Sequence, residues 1–145
     1  MIMVNDCSIN LKEYSAGFLY DPQTKSVLLH KRDFKTPDNP GQWAFFGGLS
    51  EGEETPVQTF IREMKEELGI DIPADSVLPL CDYVNEERRT YRSIFFVKSA
   101  LGKHQMKLTE GEDFDWILLD EVFNYDLTEK TVRDLKLFLR LKLSL

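Results

Sequence analysis

Residues 55–69 spell out a helix from end to end, and few stretches of the chain restrict its fold more. Thr55 suits the N-cap, Pro56 the first helical position, and Gln58 completes a Thr-x-x-Gln capping box. Gly69 falls where a helix ends in a left-handed cap. Between them Val57, Phe60, Ile61, Met64 and Leu68 recur at i, i+3, i+4 and i+7. One face is therefore apolar and needs a partner surface.

The rest of the chain supplies strands to cover it. Residues 14–21 and 26–32 read as two strands around the turn Asp21-Pro22-Gln23-Thr24, and residues 33–42, with Pro37, Pro40 and Gly41, as a loop. Residues 43–48 form a short apolar strand running into a glycine turn. Residues 77–87 and 89–101 make a hairpin joined near Glu86 to Arg89, and residues 114–120 another strand. The tail carries two signals. Thr128 opens an N-cap pattern, yet Leu135, Leu137, Leu139, Leu141, Leu143 and Leu145 alternate as a strand would. Its Glu, Lys, Arg and Leu content favours a helix to about residue 140. The order implies one α/β domain over residues 1–145, a mixed sheet between helices.

Charge and cysteine content narrow the function. A net charge of -7 argues against a nonspecific grip on nucleic acid, but a bound divalent cation could still bring in a phosphate-bearing small molecule. No stretch approaches a membrane span, and the N-terminus lacks the basic flank and apolar core of a signal peptide. Cys7 and Cys81 match no metal or redox spacing and read as reduced thiols of a cytoplasmic protein. His30 and His104 are isolated, which argues against zinc. Oligomeric state is not legible in the sequence, although the leucine-rich tail could exceed what one core buries and so mark a partner surface, such as that of a homodimer.

Residues 48–70 contain six glutamates and no aspartate. On a helical wheel Glu67 lies roughly 80°, Glu63 about 120° and Glu66 about 180° from Val57, all toward one flank. Arg62 and Lys65 fall on the other flank. Like charges at these spacings repel by a few tenths of a kcal/mol per pair, so helix formation alone does not call for them. Two readings stand at this point: a solvated acidic face, or carboxylates converging on a hard divalent cation.

Written as G-x5-E-x7-R-E-U-x-E-E-x-G-U, with U apolar, this stretch resembles the Nudix box of the Nudix hydrolase family. Gly48, Glu54, Arg62, Glu63, Met64, Glu66, Glu67, Gly69 and Ile70 fill every defining position. Two departures sit beside it: Phe46 stands where family members often carry proline, and Gly52 comes one place early, with Glu53 in the usual glycine position. A slightly altered loop with intact chemistry is the expectation. "TEGEDFDW" (109–116) also resembles the family's acidic residue ahead of a later tryptophan.

The resemblance implies the Nudix fold and metal-dependent hydrolysis of a diphosphate bond. The substrate would be a nucleoside diphosphate linked to another moiety: a nucleoside triphosphate, a nucleotide sugar or a related compound. It implies Glu63 and Glu67 as principal ligands of Mg²⁺ or Mn²⁺, Glu66 as a third, and the Gly47 carbonyl completing the site. Arg62 would pair with Glu54 and orient the ligands. Glu110 is the first candidate for general base outside the box and Glu112 the next, with Glu63 or Glu67 the alternative inside it. Lys31 and Arg32, at a strand end beside the loop, are candidates for substrate contact, while Arg88, Arg89 and Arg92 read as surface charges. Trp43, Phe34 and Tyr83 read as packing residues rather than base-stacking ones. The competing class is a non-catalytic Nudix-fold module that binds nucleotides or proteins; degenerate modules lack box carboxylates, and this chain lacks none.

Overall fold

The computed structural model describes residues 11–143, so the expectation for Cys7 lies outside the described residues. In chain order the elements are β1 (Lys12–Asp21), β2 (Ser26–Lys31), β3 (Trp43–Ala44), β4 (Phe46–Leu49), α1 (Pro56–Leu68), β5 (Leu78–Asn85), β6 (Thr90–Lys98), β7 (Asp113–Leu118) and α2 (Glu129–Leu143). Among the described residues no helix is long and apolar enough to cross a membrane.

β1 organises the sheet. Along one edge it runs parallel to β6, which pairs antiparallel with β5. Its other edge is shared: Tyr14 to Gly17 pair with β4, and Leu19 to Asp21 with β2. β2 then carries β7 and β3. The sheet is mixed, as expected, and its two faces are buried against different helices.

The two-residue period of β1 sorts its side chains between those faces. Ala16, Phe18 and Tyr20 join Leu135 and Phe138 of α2, and Phe138 meets the rings of Phe18 and Tyr20 edge-on. Leu19 joins Phe60, Met64 and Leu68 of α1 on the other face. Gly17 also points there, and a Cβ on it would stand 2.9 Å from the Phe60 ring, so glycine lets the helix lie close on the strand.

α1 begins and ends as its sequence dictates. The Thr55 hydroxyl accepts from Gln58 N–H at 3.2 Å, and the Gln58 side chain accepts from Thr55 N–H at 2.9 Å. Gly69 takes φ 70° and donates to the Lys65 carbonyl. The tail is helical through Leu143, longer than expected; Leu135 and Phe138, three residues apart, carry its buried face. The strand-like leucine alternation reflects composition rather than conformation.

Candidate active site

The box begins where β4 runs out from under α1. Glu67 is only 4% exposed, and its Oε2 accepts from Gly47 N–H at 3.2 Å. Gly48 leaves room for the Glu63 carboxylate, which would collide with any Cβ at that position. Gly48 thus lets the Glu63 carboxylate lie directly on the strand, while Gly47, whose own Cβ would meet Ser15 and Ala16 of β1, gives Glu67 its backbone N–H.

Burial raises the pKa of Glu67 to about 9, with the charges of Glu63 and Glu110 adding to the effect. Burial also raises Glu63, against the pull of Arg62. Tyr14, buried nearby on β1, is raised first by desolvation, then by the charges of Glu67 and Glu63, and is drawn down by Arg92 and Arg32.

Arg62 is the hub of the remaining carboxylates. Its Nε donates to Glu54 Oε2 at 2.7 Å and one Nη to Glu54 Oε1 at 3.2 Å, a two-point grip. The other Nη lies 3.1 Å from both Glu63 and Glu66, and 3.4 Å from Glu51. A further bond to the Leu49 carbonyl, 3.0 Å, ties the helix to β4. Glu54 is itself fixed by Glu51 N–H at 2.9 Å and the Thr59 hydroxyl at 3.0 Å, and Arg62 holds its pKa down at about 2. The wheel placed Arg62 on the flank away from these acids, but its side chain spans that distance. Gly52 adopts φ 58°, so the early glycine takes the left-handed turn of this loop.

The end of α1 is held by the strand-like loop before β7. The Thr109 hydroxyl donates to the Glu66 carbonyl at 2.6 Å, and the amides of Thr109 and Lys107 donate to the carbonyls of Glu67 and Leu68, each at 3.0 Å. These bonds satisfy the helix's last carbonyls and bring Glu110 close enough to act on Glu67 electrostatically. Glu112 is exposed, with its amide on the Lys31 carbonyl at 2.9 Å.

Among the described residues no three acidic, histidine or cysteine side chains form a closed metal group. The guanidinium of Arg62 faces Glu63 and Glu66 instead. The donor set nevertheless suits a hard divalent cation: oxygen ligands only, with Glu67 buried and Glu63 half-buried beside it, both raised by desolvation.

A cleft of about 680 Å³ opens beside the box on the α2 face, reaching from Leu49 past Tyr14 and Arg92 to Asn85 and Thr90. Arg32 lines it, with Nε donating to the Asp38 carbonyl at 2.9 Å; Lys31 does not, and lies over the Phe34 ring instead. Arg92 corrects the surface reading: its side chain is 13% exposed, 4.9 Å from the Tyr14 ring and bonded to the Tyr83 hydroxyl at 3.1 Å. The Tyr83 hydroxyl donates to the fully buried Asp134 at 2.9 Å. Arg88 also reaches the cleft rim, paired with Asp38. Sequence reasoning missed this network, although Thr131, Asp134, Leu135 and Phe138 share helical spacing and so set an acid within the buried stripe of α2. Tyr83 packs under the Arg133 guanidinium at 3.5 Å, and Trp43 meets Tyr125 edge-on. Phe34 is 61% exposed. His30 is buried and stacked on Phe46, and desolvation lowers its pKa to about 4; His104 is exposed.

Comparison with known proteins bears on the family and the fold. The NUDIX domain family matches residues 13–141. The nucleoside triphosphatase NudI of Klebsiella pneumoniae is 29% identical over 103 residues, 63% of this chain and 72% of that protein. The 8-oxo-dGTP diphosphatase of Proteus vulgaris is 34% identical over 83 residues, 57% of this chain and 72% of that protein. Among solved structures, the Escherichia coli ORF135 protein superposes with a TM-score of 0.72 at 24% identity, over 93% of each chain. A MutT structure, from work on the Aliivibrio salmonicida and Vibrio cholerae enzymes, gives 0.72 at 22% identity over 86% of this chain and 94% of that one. With the match spanning both layers of the fold and the box complete, the chain belongs to the NUDIX domain family, as one of its hydrolases.

Proposed function

We propose that this protein is a pyrophosphohydrolase of nucleoside triphosphates that works with Mg²⁺ or Mn²⁺. The observation that carries the reading is the pair Glu63 and Glu67 laid on the backbone of Gly47 and Gly48. Nudix enzymes generally use divalent metals, and the relatives named above are a nucleoside triphosphatase and a nucleotide diphosphatase.

Glu63 and Glu67 would hold the cation, with Glu66 and the Gly47 carbonyl as further oxygens. When bound, it neutralises phosphate oxygens and lowers the pKa of water. Arg62, bonded to Glu63 and Glu66, would orient both carboxylates toward the cation. In the reaction a water oxygen forms a bond to phosphorus, the bridging P–O bond breaks, and the water's proton passes to a carboxylate. Glu110, exposed beside Glu67, is the acceptor we favour. Arg32 and Arg92 supply positive charge along the cleft toward which the rest of the nucleotide extends.

The test is a Mg²⁺-dependent assay across nucleoside triphosphates, nucleotide sugars and ADP-ribose, with products separated chromatographically. The expected result is nucleoside monophosphate from at least one triphosphate and none without metal. Binding without product throughout the panel would contradict the reading.

A further inference from the structure

The far end of the cleft holds a side chain that neither the fold nor the hydrolytic chemistry uses. Asn85 is only 6% exposed and lines the cleft, and among the described residues its Oδ1 has no hydrogen-bond partner. An unpaired buried amide oxygen costs about as much as a lost hydrogen bond, so proteins rarely keep one without a use for it. The plain structural role for an asparagine beside a hairpin turn is to bond the turn's backbone. Asn85 flanks the turn at residues 86–89, yet its oxygen makes no such bond.

Strand register fixes where this oxygen lies relative to the box. Asn85, Thr90 and Lys12 stand side by side across β5, β6 and β1. The next row on the same face is Tyr83, Arg92, Tyr14 and Leu49, ending on the box strand β4. Asn85 is therefore three strand spacings, about 14 Å, from the strand that carries Gly47 and Gly48. Arg92 lies between the two ends, pinned by Tyr83 and Asp134. A nucleotide whose phosphates meet the box would pass its sugar over Arg92 and Tyr14 and reach Asn85 with its base.

Resting on the nucleotide-hydrolase reading above, we propose that Asn85 is a specificity-determining residue whose carboxamide reads the nucleobase edge. A phosphate only accepts hydrogen bonds and would repel Oδ1. A base edge with an exocyclic amino group or ring N–H donates to it, while its neighbouring ring or carbonyl acceptor can take the amide's N–H. The site would thus favour bases with adjacent donor and acceptor groups.

The test compares wild type with Asn85→Ala and Asn85→Ser, measuring kcat/KM for the four common nucleoside triphosphates in Mg²⁺ and the melting temperature of each variant. Both variants are expected to cut the ratio of kcat/KM between the best and worst base by roughly ten- to a hundredfold. A uniform fall on all four, as a contact to ribose or a packing role would give, overturns the proposal, and so does an unchanged ratio. These outcomes leave the hydrolase reading intact. A wild-type protein that hydrolyses no nucleotide overturns both, and it is recognised before any variant is made. Should Asn85→Ala fail to fold, Asn85→Ser keeps a small polar side chain and decides the matter.

Discussion

Glu67→Gln is expected to lower metal-dependent turnover about a thousandfold or more, the rate equivalent of roughly 4 kcal/mol of lost transition-state stabilisation. The substitution keeps the shape and the bond from Gly47 N–H, while removing the charge. Far-ultraviolet circular dichroism should be unchanged, and full activity in the variant would refute the assignment. Stability should move as well, with a sign set by burial. In the metal-free protein Glu67 titrates near 9, against an ordinary carboxylate value of 4.5 in the unfolded chain. Between those values the folded state holds the extra proton, so metal-free stability falls as pH rises from about 5 to 9. Glu67→Gln has no such proton to lose. Wild type should therefore become progressively less stable than the variant across this window when Mg²⁺ is absent.

Arg62→Ala is the second large effect. It removes the two-point grip on Glu54, the contacts to Glu63 and Glu66, and the tie to the Leu49 carbonyl in one change. Orienting groups behind metal ligands are typically worth ten- to a hundredfold in affinity or activity, and a loss of kcat/KM in that range is expected from steady-state kinetics. Arg62→Lys should recover little of it, because an ammonium cannot bridge Glu54 through two nitrogens and still reach Glu63 and Leu49. Recovery to near wild-type rates in the lysine variant would reduce Arg62 to a point charge.

Local signals were readable in the sequence, and long-range ones were not. The caps of α1, its buried face and the hairpin turn depend on residues a few positions apart, and each appears where spacing placed it. The Arg62–Glu54 contact could be foreseen only through the resemblance to the Nudix box, whose residues are contiguous in the sequence. The reach of Arg62 to Glu63 and Glu66 could not, since a wheel records where a side chain starts and not where a flexible guanidinium ends. Arg92 was misread for a different reason. Its burial depends on parallel pairing with β1, which sets it between Tyr14 and Tyr83, and on Asp134 arriving from α2. Tyr83 is its neighbour across the hairpin, nine residues away, but Tyr14 and Asp134 arrive from far along the chain, and nothing local encodes that meeting. The leucine tail carried two signals because frequent leucines satisfy a period of two and a period of 3.6 alike, and its helix-forming composition pointed to the right one. Asn85 shows the same limit: an asparagine next to a turn looks ordinary until its environment reveals an amide oxygen with no donor among the described residues.

The central claim is that Glu67 and Glu63, laid against Gly47 and Gly48, bind a divalent cation. Calorimetric titration of Mn²⁺ into metal-free wild type and Glu67→Gln at pH 7.5 tests it most directly. Wild type should bind and release a proton on doing so, seen as a heat that changes with the buffer's ionisation enthalpy, whereas Glu67→Gln should bind far more weakly and release none. Equal Mn²⁺ affinity in the two proteins would contradict the claim.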